Sequence, residues 1–117
     1  MQIKIHTQGF LLTESLRAYV ERRFQFAMNR YQDHVMCISV RLSDINGPSK
    51  GVDKHCLVQL QLRGLADIVI NDTEADLYVA VDRAAERTAR TLGRHLQRMR
   101  QINHSELPDW SSDERIV

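Results

Sequence analysis

Cys56-Leu57-Val58-Gln59-Leu60-Gln61-Leu62-Arg63 is the stretch that decides the architecture. Cys56, Val58, Leu60 and Leu62 alternate with Leu57, Gln59, Gln61 and Arg63, the period of two that sends successive side chains to opposite faces of a strand. A matching run precedes it, with Met36, Ile38, Val40 and Leu42 set against Cys37, Ser39 and Arg41. Two such runs in succession predict an antiparallel hairpin with one apolar and one polar face. Their connection, Asp44 to Lys54, holds the turn signals Asn46-Gly47 and Gly47-Pro48. It is too long for a tight turn and is expected to project as a flexible loop.

Upstream of the hairpin, Gln2-Ile3-Lys4-Ile5-His6 alternates as a half-buried strand, with Ile3 and Ile5 toward the core. Thr13 then offers an N-cap oxygen, and Leu16, Val20, Phe24, Ala27 and Tyr31 recur at helical spacing, predicting a helix from about Thr13 to Tyr31. Downstream, Gly64 marks a turn into a short strand, Ala66 to Asn71, with Ile68 and Ile70 on one face. Asp72, Thr73 and Asp76 offer caps for a second helix from about Ala75 to Gln101. The order β-α-β-β-β-α predicts an α+β two-layer sandwich, a mostly antiparallel sheet with both helices on one face. The other face would carry Lys4, His6, Cys37, Ser39, Arg41, Gln59, Gln61 and Arg63.

A chain of 117 residues with 43% hydrophobic and 26% charged residues suits one globular domain, expected over residues 1–103. Residues 104–117 contain Pro and Ser, lack helical periodicity and carry a charge of −3, which predicts a flexible acidic tail. Two cysteines, and no apolar leader after Met1, point to a reducing cytoplasm. The longest apolar runs fall far short of the roughly 20 residues of a membrane-spanning helix, so no membrane role is expected.

A net charge of +1 argues against a nucleic-acid binder until its distribution is considered. Between Arg83 and Arg100 six arginines face the single acid Glu86, a local charge of +5. On a helix Arg83, Arg87, Arg90, Arg94 and Arg98 share a sector of roughly 80°. Leu77, Val81, Ala84, Ala85, Thr88, Leu92, His95, Leu96 and Met99 form the buried stripe. A solvated face normally interleaves acids and bases four residues apart, and this one does not. Like charges at that spacing repel by a few tenths of a kcal/mol each, which favours a stripe made to meet phosphates. Arg22, Arg23 and Arg30 on the first helix share a flank with Tyr19 and Phe26, an interleaving suited to base stacking. Ordinary packing at the core edge accounts for either aromatic alone, and neither is assigned to the site.

Other chemistries find less support. Gly47-Pro48-Ser49-Lys50-Gly51 lacks the Gly-Lys-Ser/Thr ending of a phosphate loop and opens no helix, though Lys50 and Lys54 are weak candidates for RNA-backbone contact. His34, Cys37, His55 and Cys56 form an apparent metal set. Strand parity separates them, and hairpin pairing puts Cys37 nearer Gln61 than Cys56, so two free thiols and no metal are expected. No nucleophile, base or paired carboxylates stand at a recognisable spacing. Asp76 and Asp82 read as a cap and a flank of the second helix.

Asp76-Leu77-Tyr78-Val79-Ala80-Val81-Asp82, followed by Arg87, Arg90, Arg94 and Arg98, resembles the opening of the second helix in one family. Leu16-Arg17-Ala18-Tyr19-Val20-Glu21-Arg22-Arg23-Phe24 is similar to the first helix of the same family. This is the ribosome hibernation-promoting factor and ribosome-associated inhibitor family, also called the sigma-54 modulation protein family, and the resemblance covers roughly residues 1–100. It implies a fold akin to a double-stranded-RNA-binding domain. It also implies a bacterial stress-response and stationary-phase factor that binds ribosomal RNA of the small ribosomal subunit and blocks the messenger and transfer RNA channel.

Under that reading Arg22, Arg23, Arg30, Arg83, Arg87, Arg90, Arg94 and Arg98 contact phosphates. No cofactor, small-molecule substrate or catalysis is implied, and the free chain is a monomer. The Asp44–Lys54 loop is longer than usual for short members, and Arg83 stands where an apolar residue is more common. Many relatives carry a second, dimerising domain, for which this chain is too short. A protein–protein regulator of the transcription machinery is the competing reading, taken from the older family name.

Overall fold

The computed structural model describes residues 1–44 and 53–106, with backbone alone for 101–106. Strand β1 (Gln2–Gln8) leads to helix α1 (Glu14–Met28), a 3₁₀ turn (Asn29–His34), strands β2 (Val35–Asp44), β3 (Lys54–Leu62) and β4 (Ile68–Glu74), and helix α2 (Leu77–Glu106). The sheet order is β1-β2-β3-β4, with β1 parallel to β2 and the other two pairings antiparallel. The expected α+β arrangement is present. The parallel pair follows from α1 carrying the chain back across the sheet between β1 and β2.

Each helix starts where a short polar side chain can take an unpaired amide. Thr13 Oγ1 accepts from the Leu16 amide at 3.1 Å, and Asp76 Oδ1 accepts from Tyr78 N at 2.7 Å and Val79 N at 3.4 Å. Leu16, Val20, Phe24 and Met28 of α1 pack with Ile38, Val40, Val58 and Leu60 of the sheet and with Ala84, Ala85 and Leu92 of α2 in one core. Thr88 is buried among them, its hydroxyl satisfied by the Ala84 carbonyl at 2.6 Å. Gly64, at φ +72°, makes the turn into β4 in a backbone region that side chains disfavour.

Several boundaries move. Helix α1 ends at Met28, three residues short of Tyr31, because the chain tightens into the 3₁₀ turn, and Met28 takes a core position. Asp72 and Thr73 lie inside β4, leaving Asp76 as the cap of α2. Helix α2 runs to Glu106, past Gln101 and into the segment read as tail. Met99, read as part of the buried stripe, is exposed.

In β2 the register shifts between Val35 and Cys37, so Val35 is buried and Met36 is 51% exposed, reversing the alternation at that end. Cys37 is buried but lies outside the core cluster, opposite Gln61 as hairpin pairing requires. Cys56 sits in the core opposite Leu42, and burial pushes its thiol up to about 12. Both cysteines are free. The hairpin loop, with Lys50, and residues 107–117 lie outside the described residues.

Candidate nucleic-acid interface

The most specific sequence motif turns out to join the two helices. Asp76 caps α2, the Tyr78 ring meets Tyr19 of α1 edge-on with centroids 4.8 Å apart, and Asp82 accepts hydrogen bonds from the Tyr19 hydroxyl and from Arg23 Nε at 3.1 Å. The bond to Asp82 lifts the Tyr19 phenol above its ordinary range. Asp82 is therefore more than a flank of α2, and the packing account of Tyr19 holds.

Further along the seam, Gly93 of α2 faces Tyr31 of the 3₁₀ turn. A Cβ at Gly93 would stand 2.7 Å from the Tyr31 hydroxyl, so any side chain there requires the Tyr31 ring to move, set against the cost of about 1 kcal/mol of a mid-helix glycine relative to alanine. The Arg30 guanidinium lies 5.8 Å from the Tyr31 ring centroid. Around Tyr31 a cavity of about 590 Å³ is bordered by Arg30 and His34 on one side and by Arg90, Arg94 and Arg100 on the other. A second depression of about 570 Å³ shares Arg30, Tyr31 and Arg90 with the first and reaches Phe26. A third, of about 480 Å³, shares Arg23 and Phe26 with the second and reaches Tyr19 and Arg22. The three form one groove along the seam of α1 and α2.

The predicted arginines divide into two groups. Arg23, Arg83 and Arg87 are held within the molecule: Arg23 by Asp82, Arg83 by Glu74 at 3.5 Å, and Arg87 by Asp72 at 3.9 Å and the Asn71 carbonyl. The acids that pair with the N-terminal end of the α2 stripe are not ones interleaved along the helix. The partners come from β4, not from the helix itself. Pairing with Glu74 at the surface also explains why a charged residue is tolerated at position 83.

Glu74 is raised above its ordinary range, first by a hydrogen bond with Asp72, because the two carboxyls are crowded together. Arg22, Arg30, Arg90, Arg94 and Arg98 are exposed and form no ion pair among the described residues. Arg30 and Arg90 meet at the groove, Arg94 borders its cavity, Arg22 lies at its far end, and Arg98 stands outside it. Arg100, not among the predicted contacts, lines the groove because the 3₁₀ turn lies on that flank of α2.

The apparent metal set is dispersed: His55 Nε2 lies 2.6 Å from Asn71 Oδ1, and Cys37 and Cys56 occupy separate registers. Lys54 bridges Asp44 and Asp53 at 3.0 Å each, closing the base of the hairpin, and those bonds raise its ammonium. Among the described residues no helix is long and apolar enough to cross a membrane.

Residues 3–100 match the model of the family described as sigma 54 modulation protein / S30EA ribosomal protein. The chain belongs to this family. Among solved structures, this member of the sigma 54 modulation / S30EA family is similar to the N-terminal domain of Protein Y from Thermus thermophilus. Identity is 30%, over 81% of this chain and 99% of that one, with a TM-score of 0.67. It shares its fold with a ribosomal subunit interface protein from Coxiella burnetii, at 19% identity over 83% of this chain and 99% of that one, with a TM-score of 0.68. Comparison with curated protein sequences returned no match.

Proposed function

We propose that the chain is a cytoplasmic ribosome hibernation factor that acts by occupancy and without chemistry. The helix-side groove binds RNA of the small ribosomal subunit, and the bound domain, residues 1–103, blocks the messenger and transfer RNA channel. The observation that carries this reading is the meeting of Arg30 with Arg90 around one groove, beside Arg94 and Arg100, with Glu86 the only acid along its lining among the described residues. A concave surface with fixed positive charge and exposed aromatic area suits a phosphate backbone. Family membership and the printed names of the similar structures, a ribosomal subunit interface protein among them, support the ribosome as the partner. Arg22, Arg30, Arg90, Arg94 and Arg98 are the phosphate contacts. Arg23, Arg83 and Arg87 contribute first to holding the helices and β4 in place.

Co-sedimentation with purified small subunits across a salt series tests this. Each neutralised phosphate contributes about −0.7 to −0.9 to the slope of log affinity against log salt, so five contacts weaken binding roughly 100-fold or more between about 50 and 200 mM. No sedimentation at low salt refutes the proposal. Binding to transcription proteins that survives nuclease and moderate salt favours the competing regulator.

A further inference from the structure

Phe26 is 81% exposed, although it lies in the middle of a helix whose other large apolar residues are drawn into or against the core. Packing at the core edge, a sufficient account of Tyr19, therefore fails for Phe26. Single exposed apolar residues are common and carry no meaning alone. The neighbourhood of this one does. Arg22 stands one helical turn before it on α1, and Arg30 follows four residues after it in the 3₁₀ turn; Arg22 shares one depression with Phe26 and Arg30 shares the next. Phe26 also lies where two depressions of the basic groove join, with Arg23 on one side and Arg90 across the seam. The other strongly exposed apolar side chains, Leu11, Met36 and Val69, line none of these depressions.

A guanidinium, an aromatic face and a second guanidinium on adjoining depressions suit a phosphate, a base and a further phosphate of one nucleic-acid strand. The base must be unpaired, because in a duplex its faces are covered by its neighbours and side chains do not reach them. We infer that Phe26 is a stacking platform for one unpaired nucleobase of the bound RNA, with Arg22 and Arg30 on the phosphates to either side. This rests on the RNA-binding reading of the groove and assigns its seam to a single-stranded segment.

Binding to purified small ribosomal subunits of the full chain and of Phe26→Ala, Phe26→Leu and Phe26→Trp tests it. Stacking on an aromatic side chain predicts a loss of roughly 5- to 100-fold for both alanine and leucine, with tryptophan within about twofold of the original. In a Trp110→Phe background, the Phe26→Trp indole is also quenched by single-stranded polyuridylate and not by duplex RNA. Because Phe26 is outside the core, thermal midpoints of all variants stay near that of the parent. Undiminished binding by Phe26→Ala overturns the inference, and recovery by Phe26→Leu overturns it in favour of a plain apolar contact with protein. Failure of the unaltered chain to bind subunits is a separate result, which removes the RNA reading itself.

Discussion

The two ends of the arginine stripe on α2 have the same composition and the same helical spacing, yet they do different things. At the N-terminal end Arg83 and Arg87 lie over β4 and are met by Glu74, Asp72 and the Asn71 carbonyl. Further along, Arg90 and Arg94 lie beside the 3₁₀ turn that follows α1, which offers Arg30 instead of an acid, and Arg98 is equally without an ion-pair partner among the described residues. One end is closed by the protein's own carboxylates and the other is open to an external anion. A charged stripe is therefore left open to an external anion only where the neighbouring element withholds the counter-charge.

Charge reversal gives the sharpest test of this contrast. Arg90→Glu with Arg94→Glu is expected to abolish co-sedimentation with small subunits, a loss above roughly 100-fold, because two attractions become repulsions in one groove. Arg83→Ala with Arg87→Ala is expected to weaken binding by less than about tenfold while costing up to about 1 kcal/mol of stability, read as a melting temperature lower by a few degrees. Equal binding losses in alanine versions of the two pairs would erase the distinction.

A smaller effect is expected at Gly93, which faces Tyr31 of the 3₁₀ turn at the open end. Gly93→Ala gains helix propensity, but its methyl presses on the Tyr31 hydroxyl. In a Tyr31→Phe background the next ring atom is 3.6 Å away, an ordinary contact, so there Gly93→Ala should stabilise by up to about 1 kcal/mol. The same substitution should gain clearly less in the parent chain. Equal gains in both backgrounds, measured by chemical denaturation, would show that Tyr31 does not constrain this position.

The smallest effect concerns the closed end. Because Glu74 is raised, first by its hydrogen bond with Asp72, its ionisation costs the folded state. The stability it contributes is full below the ordinary glutamate value of about 4.3 and is lost as pH rises through the higher folded value. Glu74→Gln, which cannot ionise, should therefore gain on the parent as pH rises from about 4 to about 7. A melting-temperature difference that is flat across this range would show that Arg83 fully compensates the crowded carboxyls.

Alternation in 38–42 and 56–62, helical spacing from Leu16 to Phe24, and the caps at Thr13 and Asp76 are local regularities. Each is set by backbone geometry and side-chain period, so strand and helix identity, the hairpin and the two-layer architecture were determined by sequence alone. The stripe of arginines was equally legible, being helical periodicity applied to charge. Tertiary structure decided what periodicity does not carry. The bulge that turns Met36 outward and buries Val35 depends on pairing with β3. Which stripe arginines are neutralised depends on β4, the strand before α2, being folded back beside the helix's first turns. Placement of Arg100 and Phe26 along one groove depends on where α1 and the 3₁₀ turn lie against α2, because a helical wheel gives a residue's direction and not its neighbour.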